Sequence, residues 1–296
     1  MKVVGGDPIF RKKIEAHFSQ IADLGKYTPI TLVLDYLPRR ILDSIEGEKV
    51  LLRFEGPSTS PRSHTVRYAN RFSKVLDVGT SSDLPWPIDI YQPLKSEEKK
   101  RRQTAIMVLG DKLSFSKSEM YSLRRKVAFL DPCNLEVFGT GWQAPFQVRL
   151  LIFIKTLLIQ SLTFDIKLSA YKLWFKRRPK RFQMVVDKFE VMSGHTVSLV
   201  VENDHSKVTE KLFDALQSGT RVVYVGPELP DMPREIASRI SIVESSADAI
   251  CKALRIETQC SYVPPTELEE RVLNEYIMRS WPTLLESVQL SVEELL

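Results

Sequence analysis

Apolar runs of strand length recur along this chain, separated at first by turn-rich pieces and later by stretches with helical spacing. In the first part, ITLVLDYL (30–37), KVLLRFEG (49–56) and SKVLDVG (73–79) are strand candidates. A Pro-rich piece, SSDLPWPIDIYQPLK, follows. Then comes KSEEKKRRQ (95–103), polar and charged throughout, which reads as a linker. Beyond it, TAIMVLG (104–110) reads as a fully buried strand, Ser118–Leu130 has helical spacing, and LEVFG (135–139) is a second strand. HTVSLVVEN (195–203), RVVYVG (221–226) and RISIVES (239–245) complete a set of five, interleaved with helices over 208–219 and 247–254. The first of these two stops at Gly219. Strands alternating with helices predict a parallel sheet covered on both faces. The tail from Thr266 is helical and amphipathic. The expected domains are therefore 1–95, 104–265 and a helical tail, 266–296.

The longest apolar stretch, VRLLIFIKTLLIQSLTF, runs from Val148 to Phe164. Lys155 and Gln160 interrupt it and Asp165 closes it. A spanning helix needs about 20 mostly uncharged residues, so a buried or interfacial helix is predicted instead, continuing as helix into the segment that follows. That segment changes the picture of charge. The chain carries 42 Lys and Arg against 37 Asp and Glu, a formal charge of +5. Seven of the cations (Lys167, Lys172, Lys176, Arg177, Arg178, Lys180 and Arg181) lie within 167–181, where there is no acid. The remainder is close to neutral. One strip, rather than a broad positive face, argues against nucleic acid as a partner.

Composition adds bounds. With 296 residues, 43% of them hydrophobic and 27% charged, the chain can bury a sizeable core. Cys133, Cys251 and Cys260 form no CxxC pair, so neither a disulfide framework nor structural zinc is expected. The opening MKVVGGDPIFRKK has no apolar run after its first lysine, so a secretory signal is not expected and the location is read as cytoplasmic. GxxxxGK[ST], GxSxG and HExxH are all absent. So is DxD, the pair with which many sugar-nucleotide enzymes hold a metal against a diphosphate. No metal and no cofactor are expected, and any diphosphate here needs cations from the protein.

The most informative block is VVENDHSKVTEKLFDALQSGTRVVYVGP, from Val200 to Pro227. It reads as strand, loop, helix start, helix, turn and strand. Ligands of open α/β sheets sit at the carboxyl ends of strands, where Glu202, Asn203 and Asp204 fall. Thr209, Glu210 and Lys211 fall in the first turn of the next helix, where free N–H groups favour anions. The plainer reading is a capping threonine beside an exposed Glu–Lys pair.

This block resembles the signature of the alpha-1,3-fucosyltransferase family, bacterial-type and soluble. The family's Phe-Glu-Asn-Ser strand end corresponds to Val201-Glu202-Asn203-Asp204, its helix start to Val208-Thr209-Glu210-Lys211-Leu212, and its next strand to Gly219-Thr220-Arg221-Val222-Val223. Val201, Asp204 and Arg221 are departures. Asp187-Lys188-Phe189 is similar to the family's Tyr-Lys-Phe, without the tyrosine. LRRKVAFLDPCNLEVFGTGW is similar to a segment whose arginine binds the donor diphosphate. Arg125 fits that arginine best by its distance from Leu130, with Arg124 as competitor and a solvated arginine pair as the plain alternative. LLRFEGPSTSP (51–61) is similar to the family's Glu-Ser-Pro segment, with Glu55 at the glutamate and Gly56 replacing serine.

The resemblance implies two Rossmann-like α/β domains facing a cleft (GT-B-like) and inverting transfer of fucose from GDP-fucose, a substrate, to a glycan or lipid-linked glycan. Glu55 would be the base. Arg125 and Lys211 would steady the departing diphosphate, Glu210 would hold ribose, and Arg124, Lys188, Glu202, Asn203 and Thr209 complete the donor site. Two other classes stay open: a binder or transferase for a different nucleotide sugar, and a peripheral membrane adaptor. The strip YKLWFKRRPKRF, which interleaves aromatics with cations, is an exposed helix face, a phosphate-binding lining, or a membrane contact on the inner face through 148–181.

Overall fold

The computed structural model describes residues 2–19, 30–80, 84–90, 101–160, 173–175, 179–184 and 187–295. The chain divides into two compact units, Met1–Pro87 with Arg279–Leu296, and Ile88–Met278. Each is built on a parallel sheet with helices, as the α/β reading expects.

The first unit holds β1 (Lys2–Gly5), α1 (Pro8–Ser19), β2 (Ile30–Leu34), α2 (Arg39–Leu42), β3 (Glu48–Arg53), α3 (Val66–Ala69) and β4 (Lys74–Asp77). Its strands lie in chain order, β1-β2-β3-β4, all parallel. The period-2 alternation of a strand sorts their side chains. Leu32, Leu34, Val50 and Leu52 face one core with Ile14 and Phe18 of α1, whereas Val33 and Leu51 face another with Leu42 and Tyr68. The first core also takes Leu284, Val288 and Val292 from the end of the long C-terminal helix. β1 and α1 were not foreseen, because KVVG is too short a run to stand out beside a Gly-Gly-Asp-Pro turn.

The second unit alternates from β5 (Arg102–Val108) through α4 (Tyr121–Leu130), β6 (Glu136–Phe138), α5 (Phe146–Gln160), β7 (Phe182–Gln183), α6 (Lys188–Ser193), β8 (His195–Val201), α7 (Glu210–Gln217), β9 (Arg221–Val225), α8 (Arg234–Ala237) and β10 (Ile240–Ile242) to α9 (Ala247–Gln259), and it also holds the first part of α10 (Glu267–Glu293), up to Met278. The sheet order is β10-β9-β8-β5-β6-β7, all parallel. The chain thus starts in the middle at β5, builds outward through β6 and β7, then returns to β8 on the other side and builds away. The order reverses between β5 and β8. Val127 and Ala128 of α4 and Ile250 and Leu254 of α9 share one core with Met107, Val137, Leu199 and Val223.

The basic strip departs from its expected helix. Its described part is a turn at 173–175, irregular chain at 179–181, and then strand β7. Edge pairing to β6 supplies partners there that a helix would have met internally. Lys167, Lys172, Lys176, Arg177 and Arg178, the end of the apolar stretch (161–164) and most of the expected linker (95–100) lie outside the described residues. Among the described residues no helix is long and apolar enough to cross a membrane.

Candidate functional site

The reversal between β5 and β8 is the position where open α/β sheets of this order bind ligands, beyond the strands' carboxyl ends. Two loops begin there: Leu109-Gly110-Asp111 after β5 and Glu202-Asn203-Asp204 after β8. A third, Gly139-Thr140-Gly141, follows β6 and lies against the first. Gly141 has φ +88°, and a Cβ there would stand 2.5 Å from the Asp111 carbonyl oxygen, so only glycine lets the two loops meet.

Adjacent arginines of α4 tie this edge together. Arg124 Nε donates to the Val201 carbonyl at 2.9 Å and its Nη2 to Asn203 Oδ1 at 3.0 Å, gripping the end of β8. Arg125 Nε donates to Asp111 Oδ1 at 2.6 Å, and its Nη2 reaches the Lys112 carbonyl, gripping the end of β5. One helix therefore holds both strands that flank the reversal. The Arg125 side chain is 1% exposed. Its guanidinium lies 4.6 Å from the Trp174 ring centre, and Arg149 stacks on the same ring at 4.8 Å while meeting Asp111 Oδ2 at 3.1 Å. Burial lowers the pKa of both α4 arginines, with neighbouring acids and Tyr121 opposing it. A solvated arginine pair is thereby corrected to a buried clamp. Arg125 Nη1 is the guanidinium nitrogen left without a hydrogen-bond partner among the described residues.

Glu202 is fully buried. Its Oε1 accepts from the Thr209 amide at 3.0 Å, and its Oε2 accepts from Thr209 Oγ1 at 2.8 Å and Lys211 Nζ at 3.2 Å. Thr209 starts α7 without capping it through its side chain, which corrects the capping expectation. Its hydroxyl is committed to Glu202 and accepts from Lys211 Nζ at 2.6 Å. The anion at the start of α7 is thus the protein's own carboxylate. Burial works against the charge on Lys211, but Glu202 and Glu210 outweigh it and raise the pKa, so the ammonium persists. Two of its three N–H groups are taken, and Glu210 Oε1 lies 3.8 Å from the same nitrogen. Glu210 is 40% exposed in the first turn of α7. Asn203 and Asp204 hold the approach to α4: the Met120 amide donates to the Asn203 carbonyl at 3.0 Å, and Asp204 accepts from the Ser206 amide at 3.0 Å.

Lys188 opens α6 and pairs with Asp214 of α7 at 2.5 Å. Burial pushes the Asp214 carboxyl up to about 6, against the pull of Lys188. A cavity of about 30 Å³ beside β5 and β8 is lined by Lys188, Lys211 and Asp214 together with Leu109, Ser198 and Val200. Lys188 and Lys211, 23 positions apart, are thereby brought to one cavity. A larger cavity, about 130 Å³, lies at the opposite edge of the sheet beside Gly219, Arg239 and Glu269, away from all these groups.

Glu55 belongs to the first unit, just past β3. Its amide donates to Asp35 Oδ1 at 2.9 Å and its carbonyl meets His64 Nε2 at 2.8 Å. Among the described residues nothing hydrogen-bonds its carboxylate. Asp35, in the left-handed region at φ +56°, is a second acid at this strand edge that sequence reading missed. Its position directly after ITLVL was the available signal. Asp111, after a buried strand and a glycine, was missed in the same way. Among the described residues no group of three or more His, Cys, Asp or Glu is placed to hold a metal ion.

No family model matches the chain, and no curated protein does. Among solved structures it is similar to an alpha-1,3-fucosyltransferase at 14% identity and TM-score 0.49, over 99% of this chain and 89% of that one. It is also similar to a UDP-forming trehalose-phosphate synthase from Burkholderia xenovorans, at 11% identity and TM-score 0.48, over 96% and 78%. A pneumococcal O-GlcNAc transferase in complex with UDP and GlcNAc matches at 10% identity and TM-score 0.41, over 89% of this chain and 52% of that one. The chain thus spans about half the length of this last protein.

Proposed function

We propose that this protein is an inverting glycosyltransferase of GT-B type. It takes a nucleoside-diphosphate sugar at the β5/β8 reversal and transfers the sugar to a hydroxyl of a glycan. One observation carries the reading. The segment that resembles the fucosyltransferase signature, 200–227, is also the segment that builds the carboxyl end of β8 and the start of α7. Motif and sheet topology fall on the same place.

In this reading GDP-fucose is the donor. Glu210, exposed at the start of α7, accepts from the ribose hydroxyls. Lys211 offers its remaining N–H to the diphosphate, and Arg125, sealed beneath the loops, acts on it as a fixed positive charge. Glu202 fixes Lys211 in place and balances its charge while the site is empty. Lys188 lines the same cavity and adds positive charge behind it. Glu55 takes the proton of the acceptor hydroxyl as its oxygen attacks the anomeric carbon, and the bond to the diphosphate oxygen breaks on the opposite face. Fixed cations stabilise the charge that develops on that oxygen.

Isothermal calorimetry with GDP, UDP and their sugars tests this. GDP is expected to bind, and Lys211→Ala to weaken it by about tenfold to a hundredfold, the span of a charge-assisted contact worth roughly 1.5–3 kcal/mol. Tighter binding of another nucleoside diphosphate would reassign the donor. Absence of heat with every nucleotide would remove the transferase reading.

A further inference from the structure

Helix α5 is apolar on the side where a surface helix is ordinarily polar. Phe146, Leu150, Ile154 and Leu158 form one i, i+4 row with Leu151 beside it, and all are exposed, Phe146 at 60% and Leu151 at 67%. The opposite side is packed and includes the buried polar groups Arg149 and Gln160. Gln160 accepts from the Phe115 amide and donates to Ser114 Oγ at 3.0 Å, while Arg149 holds the Trp174 carbonyl. The inward side of α5 thus carries Arg149 and Gln160 among the apolar Ile152, Phe153 and Leu157, and its outward side is apolar as well. The exposed row contains no acid, and Lys155 is exposed at its border.

The turn at 173–175 ties the basic strip to α5. Arg125 and Arg149 both lie over the Trp174 ring, and Phe175 packs on Phe146 and Phe153 with ring centres 5.5 and 5.6 Å away. Phe146 is the first residue of the exposed row. Lys180 and Arg181 of the strip are both exposed, just before β7 pairs with β6. From Phe146 to Arg181 the sequence carries nine Lys and Arg and a single acid, Asp165.

We propose that the exposed row of α5 docks on a bilayer rich in anionic lipid, lying in the interface with its apolar side among the acyl chains and the cations at the headgroups. Charge decides the occupant. An exposed apolar row bordered by Lys155, in a stretch of sequence with nine cations and one acid, matches a negative lipid surface. This inference does not rest on the nucleotide-sugar reading, and nucleotide binding and vesicle binding are separate measurements.

The test is co-sedimentation of the whole protein with phosphatidylcholine vesicles, with and without 30% (about a third) phosphatidylglycerol. Binding is expected only to the anionic vesicles, falling steeply between low and high salt, since each cation near such a surface is worth about fivefold in affinity. The variant Leu150→Gln/Leu151→Gln/Ile154→Gln changes exposed positions only and is expected to lose at least about tenfold in binding with an unchanged melting temperature. Where that variant fails to fold, Lys180→Glu/Arg181→Glu supplies the second arm, with a severalfold loss expected. Three results overturn the proposal: no binding to anionic vesicles, equal binding to neutral ones, or a wild-type dimer in sedimentation that the triple variant dissolves. The last would assign the face to a second copy of the chain.

Discussion

The two sheets of this protein are both parallel and similarly apolar, yet they treat charge differently. The buried polar residues of the first unit are Thr31, Ser58, Ser63, Ser280 and Ser291, none of them charged. In the second unit Asp111, Glu119, Arg124, Arg125, Arg149, Glu202, Asp204, Lys207 and Asp214 are buried among the described residues. Taking a charge out of water costs several kcal/mol unless it is paired and hydrogen-bonded. Charges therefore collect in the sheet whose strand order reverses, most of them at the edge where it does so, while the buried Glu257 pairs with Arg221 at the start of β9. The first sheet, with its strands in chain order, has no such reversal, and among the described residues the charged groups at its carboxyl edge, Asp35, Arg53, Glu55 and Asp77, are all only half-buried. A buried electrostatic frame is what a site for a charged ligand needs, and one sheet has it.

Glu55→Gln puts the largest effect on the lightly built side. If the first unit contributes only the base, this substitution lowers single-turnover transfer by about 10²–10⁴-fold while leaving GDP affinity as it was. The amide is isosteric, and the Glu55 contacts to Asp35 and His64 run through its backbone. Unchanged turnover would move the base elsewhere, with Asp35 and the exposed Asp89 next to be tested. Loss of GDP binding as well would place Glu55 among structural groups and blur the division between the units.

Arg125→Met tests whether the second unit's charges are a frame. The side chain keeps its stem but abandons Asp111 in a dry site, and breaking a buried pair costs about 3–5 kcal/mol. Arg149 remains 3.1 Å from Asp111 and keeps the expected loss near the lower end. Urea unfolding read by tryptophan fluorescence checks it, since Trp174 lies on Arg125. Adding Asp111→Leu removes the stranded charge and is expected to recover much of the loss. A loss no larger with Asp111 present than without it would mean the pair is not holding the edge.

Asp214 gives the comparison a pH axis. Its carboxyl, raised to about 6 by burial and opposed by Lys188, with Glu210 adding to the rise and Lys211 to the fall, holds its proton more tightly folded than unfolded. Its contribution to stability is therefore fully present below about pH 4, the ordinary carboxylate value, and is lost as pH rises through 6. Above that the ionised form costs up to about 3 kcal/mol. Asp214→Asn has no such slope. The variant is expected to match the parent near pH 4 and exceed it at pH 7. Parallel stability curves for the two proteins would show that Asp214 titrates normally.

How much of this could be read beforehand follows the range of the interactions. The alternation of β8, α7 and β9 was legible because their burial patterns are local: HTVSLVV is buried at every position, and EKLFDALQ has one apolar face. Glu202, Thr209 and Lys211 were grouped correctly because they lie within ten residues of one another. The Arg125 clamp was not legible. Asp111 is 14 positions away, and Trp174 belongs to a segment expected to be helical. Arginine and aspartate look the same in sequence whether they are solvated or sealed, and solvated is the common case. The outward apolar row of α5 was hidden for the converse reason. A helix apolar on nearly every side gives no periodicity to say which side faces in.

The smallest expected effect is also the sharpest control. Arg53 and Asp77 close the ends of β3 and β4 in the first sheet, in register as neighbours, much as Arg125 closes the end of β5 in the second. Their side chains are 16% and 32% exposed. Water reaches both charges, so removing one partner leaves the other solvated rather than stranded. Arg53→Met is therefore expected to cost about 1 kcal/mol or less, the usual range for an ion pair with solvent access. The same Arg→Met exchange at a strand end then reads burial alone. A clear excess for Arg125 locates the electrostatic frame in the second sheet. Equal losses at the two sites would mean that burial of the pair is not what separates the units, and the contrast between them would have to be sought in their strand order.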